Sequence, residues 1–542
     1  MRSRIAFRRA RGYASSRMLQ TTAMTQNAKP HTAAVVTLPP TEKLCVAIQG
    51  ASVEELFRRA REAARTASFL EFRLDSVADP FATLVELRAF LASHAQITAV
   101  ATCRRTHGHG SFSGSLAEEQ KILLAAAAAG CKFVDLEIES AEEAGREQVE
   151  SFKQKIHAAG AALLVSFHDF VATGDLPQAY ARILAFNPDV VKVVSTARSL
   201  SDNLAVLGQL EAHSATRAVV GIAMGEEGLI SRVLGPRAGA LFTFAAPDLG
   251  EGTAPGQVAA GTLRELYHLE KLDRATRILG VAGNPIGHSL SPLMHNAAYA
   301  AAGVNAILLP LKVQALDDML RVMRELPMAG MAVTMPLKQQ VLPALAEADP
   351  LVERIGACNT LRTMADGRLQ GFNTDVAGVV RPLARRIPLK GARIAVLGAG
   401  GAARAAVFGL VDQGAEVCIV NRTHETAVKL AQAAGAQALA QSELKTQRFD
   451  VLLNTTPCGM SGMAVTLPLA EDELHAALVF DMIYNPLETP LLKLARARGL
   501  ETISGVEMFV QQGARQFEIW TSQPAPEAVM RRAVEQKLGA DQ

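Results

Sequence analysis

Short apolar runs recur along residues 41–270 at the spacing of strand–helix units. They are Leu44–Gln49, Phe69–Asp75, Ile97–Arg104, Phe133–Glu139, Ala162–Phe170, Val190–Thr196, Ala218–Met224 and Gly239–Ala245. Helical patterns such as Val53–Thr66 and Leu116–Ala129 separate them. Eight apolar strands alternating with helices predict a (β/α)8 TIM barrel over 41–270. Further on, the run beginning at Ile394 ends in Gly398-Ala399-Gly400-Gly401-Ala402-Ala403 and passes into a helical stretch to Leu410. Strand, glycine turn and helix in that order predict a Rossmann-type dinucleotide lobe.

At 542 residues the chain is too long for one core. We read a leader over 1–40, the barrel over 41–270, a substrate-binding lobe over 275–384, a nucleotide-binding lobe over 385–505 and returning helices over 506–542. A net charge of +2 offers no broad field for nucleic acid or a membrane surface. No apolar run reaches the length of a membrane span. Cys45, Cys103, Cys131, Cys358, Cys418 and Cys458 are scattered without a C-x-x-C, which reads as reduced thiols. The first forty residues carry Arg2, Arg4, Arg8, Arg9, Arg11 and Arg17, and no acid precedes Glu42. They read as an organellar transit peptide, plastid or other, or as an extended start with Met18 or Met24 as the true first residue of a cytoplasmic protein.

Charges inside apolar strands are costly unless paired or used. Glu71, Arg73, Arg104, Glu137, His168 and Lys192 all fall late in or within the runs. In a barrel such positions converge on one pocket. Lys192 sits in Val-Val-Lys-Val-Val, where burial disfavours the ammonium and leaves an amine able to attack a carbonyl. A structural ion pair is the alternative. His168 on the preceding strand would be its acid/base, and Glu137 one strand back could hold the imidazole.

Asp135-Leu136-Glu137, His168-Asp169-Phe170, Lys192, Ser231-Arg232 and Ala254-Pro255-Gly256-Gln257 occur in this order. Together they resemble the type I 3-dehydroquinate dehydratases. The resemblance implies that Lys192 forms an imine with the substrate ketone. It also implies that His168 moves the adjacent proton and that Glu137 orients His168. Glu71, Arg73, Arg104, Arg232, Thr253 and Gln257 would bind the carboxylate and hydroxyls. Thr253 stands where that family commonly has serine, and His107-Gly108-His109-Gly110 replaces its usual Glu-Gly-Gly. We expect no metal at these histidines, because no third ligand is in view.

Beyond Arg274–Arg277, read as a polar joint, comes Gly283-Asn284-Pro285-Ile286-Gly287-His288-Ser289-Leu290-Ser291-Pro292. Ser289 and Ser291 can face one side of an extended loop, or Ser291 can merely cap a helix over Leu293–Ala302. Ala332-Val333-Thr334-Met335-Pro336-Leu337-Lys338, Gly356-Ala357-Cys358-Asn359-Thr360 and Gly371-Phe372-Asn373-Thr374-Asp375 follow. This order resembles shikimate dehydrogenase. Lys338 and Asp375 would then be the catalytic pair. Ser289, Ser291, Thr334, Asn359, Asp375 and Gln512 would hold the substrate, with Tyr484 lining the cleft. Hydride delivery to a ketone builds negative charge on oxygen, which an ammonium stabilises.

For the cofactor, the fingerprint supplies Gly398, Ala399, Gly400, Gly401 and Ala402. Asn421-Arg422-Thr423 ends the next strand without the acid that favours NAD, so the chemistry suits the 2′-phosphate of NADP. His424 and Thr426, where relatives often carry a second basic residue, weaken that preference. Asn454-Thr455-Thr456-Pro457, Met482 and Gly505 are expected near the nicotinamide side, with Met508 packing nearby and a helix over Gly505–Phe517; plain core is the equal alternative for both methionines. The combined reading is a bifunctional enzyme turning 3-dehydroquinate into 3-dehydroshikimate and that into shikimate with NADPH. It has small-molecule partners, and a homodimer is the assembly it allows. Two rivals stand: a catabolic quinate/shikimate dehydrogenase using NAD, and a chain with one half decayed into a binding module.

Overall fold

The computed structural model describes residues 42–540 except 249, 465 and 466. The leader read over 1–40 lies outside them, as does residue 41. Eight strands follow: β1 (Leu44–Ile48), β2 (Phe69–Arg73), β3 (Thr98–Thr102), β4 (Phe133–Glu137), β5 (Ala162–His168), β6 (Val190–Thr196), β7 (Ala218–Met224) and β8 (Thr243–Ala245). Their order is β7-β6-β5-β4-β3-β2-β1-β8. Every pairing is parallel. The Leu241 N–H donates to the Val219 carbonyl and draws the approach to β8 onto β7, closing the barrel.

The runs predicted from sequence are trimmed at their ends. The second stops at Arg73 because Leu74–Ser76 turns as a short 3-10 helix, with the Ser76 hydroxyl donating to the Arg73 carbonyl. The fourth stops at Glu137, where the helix Ile138–Ala144 begins. The intervening helices start where side chains meet free N–H groups. Ser52 accepts from Glu55 N, and Ser115 with Glu118 forms a reciprocal cap.

The second half opens with β9 (Arg277–Gly283), so Arg277 belongs to a strand rather than to the joint. It continues with β10 (Ala306–Lys312), β11 (Gly330–Val333), β12 (Glu347–Ala348), β13 (Thr360–Thr363) and β14 (Leu369–Phe372). The order is β10-β9-β11-β13-β14-β12, with β13 antiparallel to both neighbours. The third sheet holds β15 (Arg393–Leu397), β16 (Glu416–Val420), β17 (Gln437–Leu439), β18 (Phe449–Asn454), β19 (Ala476–Asp481) and β20 (Glu501–Ile503). It is parallel throughout, in the order β17-β16-β15-β18-β19-β20. The reversal beside β15 opens the crevice in which doubly wound sheets take ligands. The helix Gly505–Thr521 returns to the middle sheet, where Trp520 donates to the Leu361 carbonyl and accepts from Arg277. No helix among the described residues is long and apolar enough to cross a membrane.

Candidate active sites

Strand periodicity explains the barrel pocket. On β1, Cys45 and Ala47 face the barrel interior while Leu44, Val46 and Ile48 pack outward. The same alternation puts Phe69 of β2, Phe133 of β4, Leu164 of β5 and Val190 of β6 inside. Counting by twos, Glu71 and Arg73, Asp135 and Glu137, His168, and Lys192 share that interior. Each lies toward the C-terminal end of its strand, the end where such barrels do chemistry.

Lys192 is buried, and it is not the lone amine its sequence context implies. Its Nζ donates to Asp135 Oδ2 at 2.8 Å, lies 3.9 Å from Glu71 Oε1, and sits 4.3 Å from the Phe244 ring centre. Glu71 in turn accepts from the Thr102 hydroxyl at 2.7 Å. His168 Nδ1 meets Glu137 Oε2 at 3.2 Å, while its Nε2 meets Arg104 Nη2 at 3.1 Å. A guanidinium can only donate, so Nε2 is the acceptor and Nδ1 carries the proton toward Glu137. Arg104 is also ion-paired to Glu137. Burial, followed by the Arg104 charge, pulls His168 down to about 4, so the imidazole is neutral near pH 7. Burial works against an ionised Glu137, yet Arg104, His168 and Lys192 outweigh it and hold the carboxyl well below its ordinary range.

Arg232 is 1% exposed. Its Nη2 donates to the Pro255 carbonyl at 3.0 Å, and its Nε has no hydrogen-bond partner among the described residues. Burial lowers it to about 10. A buried cation with an unused donor beside the pocket is suited to a carboxylate ligand. Arg73 is already paired in two places with Asp75, at 2.9 and 2.7 Å. Thr253 N and Oγ1 both donate to Gln257 Oε1. All the barrel residues singled out from the sequence line one cavity or touch a residue that does, Glu137 through His168. That cavity has a volume of about 50 Å³. His107 is exposed, and His109 packs against Phe170 with ring centres 4.7 Å apart. The described residues contain no cluster of three or more His, Cys, Asp or Glu able to hold a metal. Sequence reasoning missed Asp75 and Phe244, and gave Asp135 no role although it stands two residues before Glu137.

The second site is a cleft of about 350 Å³ between the substrate lobe and the returning helix. It brings together Ser289, Ser291, Thr334, Lys338, Asn359, Asp375, Tyr484 and Gln512, as read from the sequence. Lys338 Nζ donates to Asp375 Oδ2 at 2.6 Å, and Asn359 Nδ2 donates to Asp375 Oδ1 at 2.8 Å. Asp375 opens the helix Asp375–Ala384, where a carboxylate is favoured by the helix dipole. Ser291 is the first residue of the helix Ser291–Ala301 and does not cap it, which leaves its hydroxyl facing the cleft. Gln516, absent from the sequence reading, also lines this cleft and links buried His295 to Thr360.

At the nucleotide crevice, Gly398 has φ +108°, a conformation that favours glycine. A Cβ at Gly400 or Gly401 would meet nothing within 4 Å, so a ligand can approach the backbone there. The helix Gly401–Asp412 begins with no side-chain cap, which leaves N–H groups for a pyrophosphate. Arg422 is exposed and pairs with no carboxylate among the described residues, and Asn421 Nδ2 donates to the Thr423 carbonyl. These residues fit NADP. Asn454 lies at the end of β18, in the loop expected near the nicotinamide side. It is fully buried, bonded to Asp481 and Thr456, and spends its amide shaping the strand-end loop. Thr455 Oγ1 donates to the Leu397 carbonyl. At Gly505 a Cβ would collide with the Ile483 carbonyl, so close packing accounts for that glycine. Met482 packs against the core of the same lobe.

A barrel with a buried lysine facing a histidine, joined to a two-lobed reductase with a lysine–aspartate pair and a dinucleotide crevice, defines a two-site lyase and oxidoreductase. Residues 44–274 match the type I 3-dehydroquinase family, and 281–361 match the shikimate dehydrogenase substrate binding domain. Residues 382–461 match shikimate / quinate 5-dehydrogenase, and 505–535 the shikimate 5'-dehydrogenase C-terminal domain. The chain belongs to the bifunctional 3-dehydroquinate dehydratase/shikimate dehydrogenases. It is 33% identical to the chloroplastic enzyme of that name from Arabidopsis thaliana over 509 residues, 89% of this chain and 82% of that one. It is 42% identical over 278 residues to shikimate dehydrogenase (NADP(+)) of Methanosarcina acetivorans, 49% of this chain and 99% of that one. The solved dehydroquinate dehydratase and shikimate dehydrogenase from S. pombe AroM is 23% identical, with a TM-score of 0.42, covering 91% of this chain and 98% of that one.

Proposed function

We propose that the two lysine-centred sites carry out consecutive steps: the barrel dehydrates 3-dehydroquinate, and the second half reduces the 3-dehydroshikimate formed. The observation that carries this reading is Lys192, buried beside the His168–Glu137 pair in the same chain as the Lys338–Asp375 pair. In the barrel, the Lys192 amine adds to the substrate ketone and water leaves, giving an imine. Neutral His168 takes the proton from the carbon next to the imine through Nε2, and the iminium accepts the electron pair. The imidazolium, held through Nδ1 by Glu137, then gives that proton to the departing hydroxyl. Hydrolysis of the imine returns Lys192. Arg232 holds the carboxylate.

In the second site, bound NADPH supplies the hydride. Lys338 places its ammonium against the ketone oxygen and gives it a proton from Nζ, while Asp375 fixes the ammonium. Ser289, Ser291, Asn359 and Gln512 orient the ring. Arg422 favours NADP over NAD and counts against the catabolic rival. Fusing the two steps raises the local concentration of the shared intermediate. The location we propose is the cytoplasm, or an organelle if the leader directs import.

Complementation in a test tube checks the assignment. Lys338→Ala protein given 3-dehydroquinate and NADPH should accumulate 3-dehydroshikimate. Lys192→Ala protein should reduce added 3-dehydroshikimate but make nothing from 3-dehydroquinate. Mixing the two should restore shikimate. A Lys192→Ala protein that still dehydrates would overturn the imine mechanism.

A further inference from the structure

Arg104 stands out because it does not wait for a carboxylate. It pairs with Glu137, and its Nη2 lies 3.1 Å from His168 Nε2, the lone pair that must receive the substrate's proton. Arg104 is 6% exposed, and the cavity beside it is about 50 Å³. A substrate that gives its proton to Nε2 must displace Arg104 from it. The groups facing His168 are Glu137 from β4, Lys192 from β6 and Arg104 from the end of β3; Glu71, Arg73 and Arg232 line the same cavity. Of these, Arg104 alone touches Nε2.

We propose that Arg104 is a positioning residue acting as a substrate-displaced latch: in the resting barrel it covers His168 Nε2, and the anionic substrate draws it away and frees the base. This rests on the dehydratase reading above and adds an order of events to it. The substrate carboxylate competes for the guanidinium, so the base is uncovered only when the molecule to be deprotonated is present. The ion pair with Glu137 keeps the imidazole's Nδ1 partner in place while this happens.

The test is the titration of His168 in the full-length protein, followed by NMR of labelled histidine and assigned by the signal lost in His168→Gln. In the ligand-free wild-type protein the midpoint should lie near 4. Arg104→Gln should raise it toward the ordinary value of about 6.5. Arg104→Lys should raise it too, because one ammonium cannot span Glu137 and Nε2, and it serves if the glutamine protein does not fold. Saturating the wild-type protein with quinate, which lacks the ketone, should raise the midpoint as Arg104 turns to the carboxylate. An unmoved midpoint in both variants, with only a higher KM for 3-dehydroquinate, would make Arg104 a plain carboxylate ligand and overturn the latch. An unmoved midpoint with quinate would overturn the displacement. Borohydride trapping of substrate on Lys192 separates the two levels. If trapping fails in the wild-type protein, the dehydratase reading falls and takes the latch with it. If trapping succeeds and the titration stays put, only the latch falls.

Discussion

Replacing Lys338 with methionine removes an ammonium while keeping most of its length. In the structure this group lies 2.6 Å from Asp375, with 34% of the side chain exposed. Removing one preorganised donor from a developing oxyanion costs roughly 2.7–4 kcal/mol, or about 10²–10³ in kcat. A lost general acid costs about 10²–10⁴. Because a third of the side chain is open to solvent, water can partly take its place, so the low end applies. We expect kcat for reduction to fall about 10²-fold, roughly 2.7 kcal/mol of transition-state stabilisation. The KM for 3-dehydroshikimate should change little, since the interaction strengthens only as charge builds on the oxygen. Asp375 keeps the Asn359 hydrogen bond, which limits collapse of the cleft. The assay is NADPH consumption with 3-dehydroshikimate, and dehydration by the same polypeptide reports that the barrel remains folded. A variant with unchanged kcat, or with a raised KM alone, would refute the role assigned to Lys338.

Other outcomes follow from the same geometry. The dehydratase kcat/KM should hold down to about pH 4 before it falls, because His168 stays neutral, and so able to accept a proton, above its lowered value; a fall near the ordinary histidine value would contradict this. Arg422→Ser should raise the KM for NADPH about tenfold and leave that for NADH nearly unchanged, the signature of one exposed charge-assisted hydrogen bond. Gly398→Ala should weaken NADPH binding, read by equilibrium titration, because φ is +108° and the new Cβ meets Thr455; the dehydratase should be spared. Burial pushes Glu119 up to about 8 from an ordinary 4.5. The folded state thus holds its proton where the unfolded chain has released it, and this contribution is full below about pH 4.5 and lost as pH rises to about 8. Glu119→Gln should therefore flatten the fall in Tm across that window.

Much of this was legible in the chain because the two periodicities carry it. Val-Val-Lys-Val-Val can only bury Lys192, and the alternation on β4 to β6 brings Glu137, His168 and Lys192 to one face. What stayed hidden is pairing over distance. Asp135 is 57 residues from Lys192, and nothing local marks it as the lysine's partner. Arg104 reads as a carboxylate ligand in sequence, yet 64 residues separate it from the His168 it covers. Arg73 is likewise engaged, by Asp75 just after it. The strand ends drifted for a local reason: hydrophobicity continues from β2 and β4 into the short helices that follow, so the apolar run outlasts the strand. The antiparallel β13 in the middle sheet also escaped, because a short buried strand looks the same in either direction. Asn454 and Gly505 were chosen as cofactor neighbours by motif, and their side-chain bonding and close packing give them structural work.

The most direct test of the central claim supplies purified protein with 3-dehydroquinate and NADPH and follows both NADPH and shikimate. NADPH should disappear and shikimate form in equal amounts, with no other enzyme present. If NADPH stays intact while 3-dehydroshikimate accumulates, the second half is not the reductase described here; if 3-dehydroquinate itself is unchanged, the barrel is not the dehydratase.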